Sequence, residues 1–156
     1  MDVSLCTPSA KNDKLGEQVS VDILQLLLVA YPESVKKKVG KGNESTWIES
    51  DEGKSPIYLA EESNMSFGFI KALLSERARQ SSIPGANILQ IASIYRCSLE
   101  TIKNVVEDDP GLLVTSDGYG HIALHTAAKH ASLEVVQYLV DGIKSRVLIQ
   151  PKQSNF

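Results

Sequence analysis

Apolar positions recur along this chain in one nine-residue phrase that is read four times. The copies are Ser20-Val-Asp-Ile-Leu-Gln-Leu-Leu-Leu28, Ser66-Phe-Gly-Phe-Ile-Lys-Ala-Leu-Leu74, Ser98-Leu-Glu-Thr-Ile-Lys-Asn-Val-Val106 and Ser132-Leu-Glu-Val-Val-Gln-Tyr-Leu-Val140. Their starts lie 46, 32 and 34 residues apart. In each copy a serine leads, and apolar residues follow one, four, seven and eight places on. That spacing is one face of an α-helix. The serine is placed as an N-cap, its hydroxyl accepting from a backbone N–H of the first turn. Glu100 and Glu134 fall in the first turn, where the helix dipole favours a negative charge. Gln25, Lys71, Lys103 and Gln137, five places after each serine, mark the opposite face.

A second phrase precedes three of these helices. Ile57, Leu89 and Leu124 each have an alanine three residues on, at Ala60, Ala92 and Ala127, and a glycine four residues before, at Gly53, Gly85 and Gly120. A large and a small residue one turn apart suit a short helix packed tightly on both sides. The glycine suits a tight turn with a positive φ. Each unit therefore reads as turn, short helix, short loop and longer helix. The pattern predicts helices near 20–30, 56–63, 66–78, 87–95, 99–107, 122–130 and 133–140.

The last unit holds Asp117-Gly-Tyr-Gly120-His-Ile-Ala-Leu124-His125-Thr-Ala127-Ala128, then Leu133-Glu-Val-Val136-Gln-Tyr-Leu139-Val140. It resembles an ankyrin repeat, with Ile122 and Ala123 where the family has Thr and Pro. Ser55-Pro56-Ile57-Tyr58 and Asn87-Ile88-Leu89-Gln90 stand at the matching place of the two units before. Tyr31-Pro32-Glu33 after a second helix is similar to the divergent ankyrin arrays of algae and protists. The resemblance implies an all-α fold, an α-solenoid of about three and a half stacked helix-turn-helix units. Residues 1–19 would then be an irregular cap, 20–142 the stack, and 143–156 a tail or cap. Val147, Leu148 and Ile149 suit an apolar tail folded over the last unit. In that family the imidazole at the place of His125 bonds backbone groups between neighbouring units.

The first spacing is too long by 12 to 14 residues, which puts an insertion loop near 36–52. It carries Lys36, Lys37, Lys38 and Lys41, and the chain's only tryptophan, Trp47. Trp47 is either a plug against neighbouring helices or an exposed anchor for a partner. The lysines either solvate a helix end or form a basic patch for nucleic acid. A net charge of −3 gives no electrostatic reason to expect nucleic acid. With 42% hydrophobic and 22% charged residues, the 156-residue chain can bury a core. The apolar run 23–30 is broken by Gln25 and is about a third of a membrane span. The start, Met1-Asp2-Val3-Ser4, has neither a basic segment nor an apolar one, so no secretory signal is read there. Cys6 and Cys97 make no metal spacing and no disulfide framework. A monomer inside the cell, in the cytoplasm or nucleus, is the expectation.

No catalytic constellation converges, and no cofactor is expected. The serines are accounted for as caps. Arg96 beside Cys97 could lower the thiol's pKa, but no histidine stands near it in sequence. Gly118-Tyr-Gly120 follows no strand and lacks the Lys-Ser/Thr of a phosphate loop. His121, His125 and His130 offer one i, i+4 pair, but His121 belongs to the turn, so no metal site is read there. The ankyrin resemblance implies a protein-binding surface on the concave face and turn tips. The candidates are Trp47, Glu61, Glu62, Tyr95, Arg96, Tyr119, His121, Lys129 and His130. The partner expected is an unidentified protein rather than a small molecule. The alternative is a nucleic-acid adaptor acting through Lys36 to Lys41.

Overall fold

The structure, a computed structural model, describes residues 9–37 and 54–149. Trp47, Lys38, Lys41 and Gly53 lie outside the described residues. Within them the chain is helical throughout, with no strand. The helices are α1 (Ser9–Ala30), α2 (Pro56–Glu62), α3 (Phe67–Arg79), α4 (Ile88–Ile94), α5 (Leu99–Asp108), α6 (Ala123–His130) and α7 (Leu133–Ile149). Two short 3-10 turns, Pro32–Lys36 and Pro110–Leu113, follow α1 and α5.

Local chemistry starts most of these helices. Ser66 Oγ accepts from Phe69 N at 3.3 Å, Ser98 Oγ from Thr101 N at 3.2 Å, and Ser132 Oγ from Val135 N at 3.5 Å. Ser55 caps α2 ahead of Pro56, and Asn87 and Gln90 cap α4 reciprocally. Ser20 departs from the pattern. It lies inside α1, and its hydroxyl donates to Gly16 O at 2.9 Å. The expected irregular cap is therefore helical from residue 9 onward. Ala, Lys, Leu, Glu and Gln in that stretch are good helix formers, and no proline stops them. At the other end α7 runs on to Ile149, so the expected tail is a continuation of the helix. Val147 is exposed there and does not fold over the last unit.

Two helix ends share an unusual residue. Asn64 and Arg96 have φ of 50° and 55°. Each lets the next amide reach back five residues, Met65 N to Ala60 O at 2.9 Å and Cys97 N to Ala92 O at 3.0 Å. After α6 the link is one residue shorter, five from Ala127 to Ser132 against six from Ala92 to Ser98. That helix closes without a left-handed residue. Gly85 and Gly120, at φ of 70° and 81°, make the turns before α4 and α6, as the glycine spacing predicts.

The longer helices form a row in which α1 meets α3, α3 meets α5, and α5 meets α7. The short helix α4 packs along α6 and against α3. Ile57, Leu74, Leu89, Ile102, Val105, Val135 and Leu139 fill the space between and are essentially inaccessible. The lysines five places after the capping serines reach along the row. Lys71 pairs with Asp108 at 2.7 Å, and Lys103 lies over the Tyr138 ring at 5.8 Å.

One buried amide couples the third unit to the fourth. Gln90 Nε2 donates to His121 O at 2.8 Å and to Asp117 Oδ2 at 3.2 Å. Asp117 Oδ1 accepts from Tyr119 N at 2.8 Å and His121 N at 3.0 Å, which fixes the turn. Gly118 N donates to Pro84 O and ties the two turns together. Burial opposes ionisation of Asp117. The N–H groups of His121 and Tyr119, the His121 imidazole and the Gln90 amide outweigh it and hold the carboxyl below its usual 3.8.

Candidate functional site

Glu61, Glu62, Tyr95 and Arg96 are brought to one place. They line an open cleft of about 240 Å³ between α2 and the end of α4, together with Ile57, Tyr58 and Cys97. Ile57 is buried, so the next residue, Tyr58, turns outward and stands 48% exposed. Tyr58 is not among the residues expected from sequence, although its place one step past an apolar-stripe isoleucine puts it on the outer face. Tyr95 is half-buried and held from behind, its hydroxyl accepting from Arg77 Nε at 2.7 Å. Arg96 is exposed, and its guanidinium makes no ion pair with any described residue.

The two acids have partners within the chain. Glu61 Oε2 accepts from Ser98 N at 2.8 Å and so holds the start of α5. Glu62 pairs with Lys54 at 2.8 Å, and the same ammonium lies over the Tyr58 ring at 5.4 Å. Both are therefore engaged inside the chain. Cys97 forms part of the cleft wall but is buried. Burial first, and Glu61 second, push its thiol far above the usual range. The neighbouring Arg96 does not activate it, which corrects the expectation from sequence.

The remaining candidates lie elsewhere. Lys129 and His130 sit in the last turn of α6, 34 residues after Tyr95 and Arg96 and so at the matching place of the next unit. Tyr119 and His121 lie at the opposite end of α6, on the turn before it. Their rings are 6.3 Å apart, and the His125 ring stands 5.5 Å from that of His121. His121 Nδ1 lies 3.7 Å from Asp117 Oδ2. Of the lysines proposed for nucleic acid, Lys36 pairs with Glu33 at 3.3 Å, and Lys37 follows the 3-10 turn, exposed.

A family model for ankyrin repeats matches residues 119–150, from the turn at Tyr119 through α7. That segment is similar to an ankyrin repeat. No curated protein and no solved structure matches it. Ankyrin repeats are generally protein–protein interaction modules and are typically non-catalytic. Among the described residues, no helix is long and apolar enough to cross a membrane. Among the described residues, His125 bonds no neighbouring unit. It is exposed, and its Nδ1 accepts from Ile122 N at 3.1 Å within its own unit. The bridging role expected of it belongs to Gln90, at the same place one unit earlier, because the turn of a following unit lies within reach there.

Proposed function

We propose that this chain is a non-catalytic interaction module that seats a segment of a partner protein in the cleft between α2 and the end of α4. The supporting observation is the convergence of Tyr58 from α2 with Tyr95 and Arg96 from the end of α4 on one open cleft. Tyrosine and arginine are the side chains most often found as interface anchors. Ile57 and Cys97 supply an apolar floor. Glu62 is neutralised by Lys54 and Glu61 is bonded to Ser98, which leaves Arg96 to meet a carboxylate. The cleft thus suits a segment with an apolar or aromatic side chain next to an acidic residue. Tyr119 and His121 on the turn, and Lys129 and His130 at the end of α6, extend the contact surface.

The test compares proteins captured by the wild-type chain and by a Tyr58→Ala, Arg96→Gly variant, with binding of each shared protein then measured by calorimetry. Glycine suits the left-handed backbone at residue 96, so the variant keeps its fold while losing the guanidinium. Binding should weaken about tenfold or more, which is about 1.4 kcal/mol. Undiminished binding of every captured protein would refute the cleft as the site. Tight binding of duplex DNA with a steep salt dependence would favour the basic-loop reading instead.

A further inference from the structure

Helix α1 carries two apolar faces. Val21, Leu24 and Leu28 lie towards the stack, with Val21 beside Gly68 of α3. The second face is open. Ile23, Leu26, Leu27 and Val29 are 52%, 71%, 53% and 82% exposed. The contrast with the other copies of the repeated phrase is direct. Leu27 corresponds to Leu73, Val105 and Leu139, which are 4%, 0% and 0% exposed. The residue type suits burial, and only the position at the end of the row exposes it.

The open face has a period of its own. Gly16, Val19, Ile23, Leu26 and Ala30 follow one another at steps of three, four, three and four. That is the alternation of a heptad seam, in which one helix packs along another. We infer that the seam of α1 pairs with α1 of a second copy of this chain, forming a two-fold dimer.

Three observations select the second copy. The face formed by Gly16, Val19, Ser20, Ile23, Leu26 and Leu27 carries no charge, so placing it against itself opposes no like charges. The occupant must offer a matching heptad seam, and α1 itself supplies one. An apolar groove of about 410 Å³ between α1, α2 and α3 begins at Leu27, so it continues the same surface. The dimer replaces the monomer expected from sequence, and it stands independently of the cleft.

The measurement is the mass of the full chain by sedimentation over a micromolar concentration range, for wild type and for an Ile23→Glu, Leu26→Glu variant. Wild type should approach twice the mass of one chain. The variant should stay monomeric, its dissociation constant raised at least a hundredfold, with unchanged helical circular dichroism because both positions face solvent in the single chain. A monomeric wild type at all concentrations overturns the inference. A monomeric wild type whose variant unfolds also overturns it, since the seam is then covered from within the same chain. A variant that dimerises as wild type does places the interface on another face and overturns it equally.

Discussion

Gln90 and His125 hold the same place in two successive units and have different consequences. Gln90 is buried and bonds three backbone or carboxylate partners, two of them in the next unit. Gln90→Ala leaves those partners without its amide. It should cost about 3 kcal/mol, read as a lowered urea midpoint. His125 is exposed and, among the described residues, bonds only the start of its own helix, so His125→Ala should cost about 0.5 kcal/mol. A loss at His125 as large as that at Gln90 would contradict this. The asymmetry was not legible in the sequence. It depends on whether another unit's turn lies within reach, and the motif points to the histidine in either case. Glu61 was hidden for the same reason, since its partner is an amide 37 residues away. Asp117 adds a pH dependence. Its folded carboxyl titrates below its usual 3.8, so the unfolded chain takes up the proton first. The stability it gives is complete above that usual value and is lost as pH falls through the folded one. The melting temperature should drop over that acidic range, and Asp117→Asn should flatten the drop.

Among the elements, the helix stripes were the part most open to reading. A 3.6-residue period and a capping serine act locally, and the helices from α2 to α6 begin and end within a residue or so of the expectation. What failed was the first copy of the phrase. A serine before an apolar stripe looks the same whether the helix starts there or eleven residues earlier. The four serines therefore separate under mutation. Ser98→Ala removes a cap on Thr101 N and should cost about 1 kcal/mol in chemical denaturation. Ser20→Ala, inside α1 with its hydroxyl turned back to Gly16 O, should be neutral or slightly stabilising, because alanine is the better helix former. Equal losses at the two positions would restore Ser20 as a cap. The extension of α7 had a similar origin. The repeated phrase ends at Val140, but Gly142 does not stop the helix: a Cβ there would come within 3.2 Å of Leu113 Cδ1, so the glycine serves close packing inside a continuing helix.

At the scale of the molecule, helical hairpins lean on their neighbours, and each unit depends on the next for burial. The sequence showed the repeat and its direction because both follow from spacing. It did not show that α2 and the end of α4 leave a cleft, or that α1 keeps an open seam, since both depend on what is missing beside a helix. Beyond that shared burial, Gln90 couples the third unit to the fourth through its contacts with the fourth unit's turn. Amide hydrogen exchange, followed peptide by peptide in wild type and Gln90→Ala, measures that coupling. The variant should lose protection first in α6 and α7, while α2 and α3 keep theirs. Equal loss along the whole chain, or none in α6 and α7, would contradict it.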